Sequence, residues 1–292
     1  MSGRIFNTFI IILYIVSITA ITYFAINGRD YYLLSLKERP HAEQHAELKP
    51  GGLWGHGFGV VGTAMILLLF LYSLRKRNAL RLRFGKIRYW LNVHIFFGIV
   101  GPLLITLHTA GKLNGLVSVS YFSMLAVMFS GIIGRYIFIQ IPRNEEGHVL
   151  ALSSIDDQYN RLNKMLLKSY DIPEAFINQI IKKSQPRFNT NKRGLSTLIF
   201  LIIDDIKRPF RFRKIRRSIK INHPEFPPKA IYQIMNLTMK KSLLHRRKIF
   251  LNAVTGIFHL WHVVHKPFAW IMIIIMLVHV SITVLMGYKW VF

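Results

Sequence analysis

Trp90-Leu91-Asn92-Val93-His94-Ile95-Phe96-Phe97-Gly98-Ile99-Val100-Gly101-Pro102-Leu103-Leu104-Ile105-Thr106-Leu107-His108 contains no aspartate, glutamate, lysine or arginine. An uncharged apolar run of about 20 residues, rising about 1.5 Å per residue, is long enough to cross the hydrocarbon core of a bilayer. Residues 89–110 are therefore expected to form a transmembrane helix. Four other stretches have the same character: 5–26, 53–74, 116–141 and 267–288. The chain of 292 residues is 52% hydrophobic. Those residues lie in long blocks rather than in the short amphipathic stretches of a soluble fold. The expected fold is an all-α integral membrane protein, a five-helix bundle with a basic cytoplasmic insertion between the fourth and fifth spans. The first block follows Arg4 as a signal peptide would. It is long enough to span and shows no small-residue cleavage site before Asn27, so a retained helix is expected.

The basic residues are unevenly distributed. A formal charge of +26 would ordinarily point to nucleic acid, but here the cations lie between apolar blocks. Residues 75–88 hold seven Lys/Arg and no acid; residues 142–248 hold 23 against nine acids; the two segments account for 30 of the 39 basic residues. The loop 27–52 has four of each sign. Cationic loops stay on the cytoplasmic side. The amino terminus is thus expected inside, loop 27–52 outside, and the carboxyl terminus, with Phe292, outside. The chain divides into spans one to four (1–141), the insertion (142–248), and an interfacial helix with the last span (249–292). Within the insertion, 156–183 reads as helical and 195–206 is apolar but too short to span. Residues 210–220 are basic with interleaved aromatics, Pro224-Glu225-Phe226-Pro227-Pro228 is a rigid turn, and 231–264 reads as an amphipathic helix feeding the last span.

There is no cysteine, which excludes disulfides, thiolate zinc, cysteine-held iron–sulfur clusters and covalently attached haem. Any redox metal must rest on histidine. His94 and His108 are 14 residues apart, as are His265 and His279. On a helix this separation is about 21 Å of rise and about 40° short of four full turns, so both rings of each pair leave one face. Spans three and five run in the same direction, which matches His94 with His265 and His108 with His279. Histidine inside a membrane is costly unless something satisfies it, and two neutral imidazoles are a suitable axial set for a haem iron. Two bis-imidazole sites stacked across the bilayer are expected, holding two b-type haems. The competing class is a non-redox transporter or assembly anchor whose histidines relay protons.

Other residues are secondary candidates. His262 competes with His265, but its 17-residue separation from His279 turns the two rings about 100° apart. His56 could ligate, hydrogen-bond, or bind a quinone oxygen. Arg135 and Lys112 are placed to pair with inner and outer haem propionates, against snorkelling as the ordinary alternative. His41 and His45 are four apart in the outer loop, with no evident third ligand. The glycines near the histidines, Gly57, Gly59 and Gly62, Gly98 and Gly101, and Gly131 and Gly134, would allow close helix packing or leave room for a flat macrocycle.

With Gly55-His56-Gly57, Trp90-Leu91-Asn92-Val93-His94 and Trp261-His262-Val263-Val264-His265-Lys266-Pro267, these 14-residue pairs resemble the di-haem transmembrane b-type cytochromes. These include the cytochrome b and b6 subunits of quinol–cytochrome c oxidoreductases and the ferric-reductase-like transmembrane domains. The resemblance covers about 53–141 and 250–288. The chain departs from cytochrome b in having five spans rather than eight and no Pro-Glu-Trp-Tyr motif, and it lacks the flavin and nicotinamide domains of ferric reductases. What the resemblance implies is membrane electron transfer by a subunit of an oxidoreductase complex in a respiratory chain. Its expected partners are a quinone or cytoplasmic donor and a periplasmic cytochrome or other redox subunit, with membrane lipid around it and no nucleic acid.

Overall fold

The computed structural model describes residues 3–77, 85–143, 149–168, 174–185, 194–222 and 224–287. Phe292 and the basic Arg81 and Arg83 lie outside them. The described residues form helices and turns with one isolated antiparallel bridge, Arg143 to Val149. In chain order the helices are α1 (Gly3–Asn27), α2 (Arg29–Leu33), α3 (His45–Leu48), α4 (Leu53–Lys76), α5 (Ile87–Thr109), α6 (Gly115–Gln140), α7 (Leu152–Lys168), α8 (Glu174–Ser184), α9 (Leu195–Asn222) and α10 (Pro228–Leu285), with a 3₁₀ turn at Arg39–His41. Five are long and apolar enough to cross a membrane: α1, α4, α5, α6 and α10. The fold is an all-α membrane bundle, as its hydropathy predicts. Outward positions remain apolar, among them Ile12, Val16, Phe122, Ile132, Ile274 and Val278, which suits lipid rather than water.

Two compact units divide the chain, Met1–Ile133 with His262–Phe292, and Gly134–Trp261. In the first, α4 packs along α5, and α1 lies on α5 through Phe6 against Tyr89 and Tyr14 against Phe96. Ile66, Met124, Met272, Ile273 and Met276 join α4, α6 and α10 in one buried cluster. The Ser120 hydroxyl donates to the Met272 carbonyl at 2.8 Å. α5 ends at Ala110 and Gly111, both left-handed with φ of 44° and 72°. Glycine adopts that conformation freely, whereas alanine does so at a cost.

The second unit has two apolar cores. Ile180, Phe212, Ile215, Ile219, Ile231, Ile234 and Met235 form one, with Phe226 of the proline-rich turn packed on it. Ile137, Ile141, Ile155, Leu198, Leu201, Leu244, Phe250, Leu251 and Val254 form the other. The ends of this unit lie within α6 and α10 because their side chains at 137, 141 and 244–254 complete the second core. α10 runs unbroken through residues 231–264 into the last span, with Pro267 inside it. The apolar stretch 195–206 and the basic run 210–220 likewise share α9, with Pro209 inside.

Candidate functional site

Helices α4 and α5 are antiparallel, and their contacts keep one register. Gly55, Gly62 and Leu69 are successive steps of seven residues along α4. They meet His108, Gly101 and His94, successive steps of seven back along α5. A seven-residue repeat of contacts belongs to helices wound left-handed about each other, at about 3.5 residues per turn. In that winding 14 residues are four whole turns, which removes the offset that a straight helix would leave between His94 and His108. The middle step is the close approach: a Cβ on Gly62 would stand 3.1 Å from the Gly101 carbonyl oxygen. At the His108 step, a Cβ on Gly59 would stand 2.6 Å from the ring Nδ1. Glycine there leaves the space the imidazole fills.

Each end step is a hydrogen bond. His94 Nδ1 donates to the Leu69 carbonyl at 3.1 Å, and His108 Nδ1 donates to the Gly55 carbonyl at 2.8 Å. A carbonyl only accepts, so the proton in both neutral rings is on Nδ1 and the Nε2 lone pair is left for another partner. His265 is held through α6: its Nδ1 lies 2.7 Å from Ser130 Oγ, which is also 2.9 Å from the Val127 carbonyl. A second-layer acceptor that fixes ring orientation and tautomer is the usual support of a metal-ligating histidine.

His265 is within electrostatic reach of His94, and His108 is within reach of His279 and His56. Equal spacing on both helices and matched partners at both ends mean that α5 and α10 run parallel in the bundle. His56 thus lies beside the His108 pair, and His262 lies near His265. Tyr72 lies tilted against His94, with ring centroids 5.1 Å apart and planes at 48°. Lys112, in the turn after α5, is within electrostatic reach of His45. The Tyr31 hydroxyl bonds His45 Nδ1 at 3.2 Å. Arg135 belongs to the second unit, its guanidinium 5.8 Å from the Phe138 ring centre.

Among the described residues no group of three or more His, Asp or Glu is arranged to hold a bare metal ion. Two imidazoles are too few ligands for zinc. They do fit an iron whose other four donors come from a macrocycle.

The second unit carries a buried ion-pair network that residue spacing does not announce. Arg246 Nη1 contacts Asp204 Oδ2 and Asp205 Oδ1, both at 2.7 Å, and its Nη2 donates to Gln140 Oε1 at 3.0 Å. Arg211 adds a bond to Asp204 at 2.9 Å, and the Tyr136 hydroxyl donates to Asp205 at 2.7 Å. Burial raises the Asp205 carboxyl, but hydrogen bonds from Arg246, Tyr136 and Gln140 outweigh it and hold the group below the usual carboxylate range.

The fold and these side chains define a multi-pass all-α membrane protein carrying paired histidines in its bundle. No family model, curated protein or solved structure matches the chain.

Proposed function

We propose that this chain is a di-haem b-type cytochrome subunit. It would carry electrons across a cytoplasmic (inner) membrane, between a quinone or cytoplasmic reductase and a periplasmic redox partner. The observation that carries the reading is the shared setting of three intramembrane imidazoles. Each has its Nδ1 within hydrogen-bond distance of an oxygen on a neighbouring helix, and each is within electrostatic reach of a histidine of the facing helix. A proton relay needs a ring that exchanges protons at both nitrogens. Rings held on one side by a neighbouring helix, as His94 and His108 are, suit axial ligation through Nε2 better. A haem bound at each pair would supply one-electron redox chemistry.

The chain's own part is orientation and exclusion of water. Leu69 and Gly55 carbonyls aim His94 and His108, Ser130 aims His265, and Gly59 clears the space that the His108 ring occupies. Lys112 is a proposed propionate partner, and His56 and His262 are proposed neighbours or substitutes for the ligands. The cationic segments are proposed on the cytoplasmic side, docking an acidic redox partner or anionic lipid. A reduced-minus-oxidised visible spectrum of the purified protein tests this. A b-type α-band is expected; its absence would leave the proton-relaying membrane protein as the better reading.

A further inference from the structure

The outer-loop assembly contains a buried cation with no counter-ion. Arg39 is 6% exposed. Its Nε donates to the Leu34 carbonyl at 3.0 Å, its Nη2 to the Tyr32 carbonyl at 2.7 Å, and its plane lies against Tyr31, 5.5 Å from the ring centre. Nη1 has no partner, and neither does the buried hydroxyl of Tyr32. No carboxylate pairs with Arg39 among the described residues: the adjacent Glu38 is turned to the Ser35 amide and hydroxyl. A buried guanidinium without an anion is costly, so a built cluster of this kind implies an anion that completes it.

Its position indicates which anion. Arg39 lies against Gly111, with Nη2 and Nη1 at 3.4 and 3.5 Å from the place of a glycine Cβ. Gly111 is three residues beyond His108, in the turn that closes α5. A group held between His108 and His279 would turn its carboxylates away from the apolar middle, toward this end of the bundle. Nη1 and a neutral tyrosine hydroxyl are both donors, the set that an ionised carboxylate accepts from. Burial, with Tyr31 beside it, pushes the Tyr32 hydroxyl up to about 12, against the pull of Arg39, which keeps it a donor at neutral pH.

We propose that Arg39 and Tyr32 form the carboxylate site for a propionate of the haem held by His108 and His279, a role that rests on the two-haem reading above. Arg39 is then a positioning and potential-setting residue.

The test is a redox titration of the purified protein and of Arg39→Gln, Arg39→Lys and Tyr32→Phe variants. The haem assigned to the outer pair is the one lost in His108→Ala. Arg39→Gln is expected to lower the midpoint potential of that haem alone, because a nearby positive charge favours the reduced state. Arg39→Lys should restore most of the shift, and Tyr32→Phe should lower the potential by less. Should Arg39→Gln fail to fold, Tyr32→Phe carries the test alone: it keeps the charge, removes one donor, and is expected to lower the potential of the outer haem by the smaller amount. Unchanged potentials for the outer haem in every folded variant would overturn the assignment and make a free anion or a lipid phosphate the occupant of this site. A wild-type protein without haem would overturn the proposed function itself, before any Arg39 variant is compared.

Discussion

The acceptor that orients His108 is a main-chain oxygen, that of Gly55, and such atoms leave no mark on a sequence. The histidines themselves were legible because 14-residue spacing is a property of side chains on a helix. Their hydrogen-bond partners were not: Leu69 and Gly55 act through carbonyls, and Ser130 reads as one more small polar residue in a span. Arg39 was hidden for a different reason. It sits in a loop with four residues of each sign, which looks like a solvated connection. Two substitutions test the residue-scale account. Gly59→Ala places a methyl 2.6 Å from His108 Nδ1, so the ring must move and the outer haem should be lost or altered while the inner one remains. Spectra of both haems check this. Ser130→Ala removes the hydrogen-bond partner of His265 Nδ1, and changes of about 10-fold or more in affinity are common when such a partner is lost. Weaker retention of the inner haem through purification, with a normal outer haem, is the expected result.

At the scale of elements, span positions followed directly from hydropathy, while helix continuity did not. Proline is expected to end or kink a helix, yet Pro209 and Pro267 lie inside α9 and α10. The Asp204-Asp205 pair stood out in an apolar stretch, but its arginine is some 40 residues away along the chain and only the packed helices join them. Arg246→Met removes the hub of this network. Removing one partner of a buried ion pair costs about 3–5 kcal/mol, so a lower unfolding temperature of the purified protein is expected. Acid should act on the same element. Asp205 has a depressed folded-state pKa, so its contribution is present above the ordinary carboxylate range and is lost as pH falls through the lower folded value. Helicity measured against pH should hold through mild acid and fall below it, and Asp205→Asn should flatten that acid limb. Between α4 and α5, Gly101→Leu forces bulk into the Gly62 contact, at about 1–3 kcal/mol, and should disturb both histidine sites together because they share one register.

For the whole molecule, the uneven cations argue that residues 142–248 face the cytoplasm and the loop 27–52 faces out. Protease added to right-side-out vesicles should cut near Lys37 or Lys49 and spare the insertion; the reverse pattern would invert the topology. Ligand pairs about 21 Å apart along one helix suit electrons crossing a low-dielectric core, since a one-surface reaction would need only one site. A reductant trapped inside proteoliposomes should therefore reduce an impermeant acceptor outside, and loss of either haem should stop it. The account's central claim is the pairing of His94 with His265 and of His108 with His279, each pair holding one haem. The most direct test is the haem content of purified double variants. His94→Ala with His265→Ala should lose the inner haem and retain the outer; His108→Ala with His279→Ala should lose only the outer; His94→Ala with His108→Ala should lose both. Retention of both haems in either of the first two variants, or the loss of only one in the third, would contradict it.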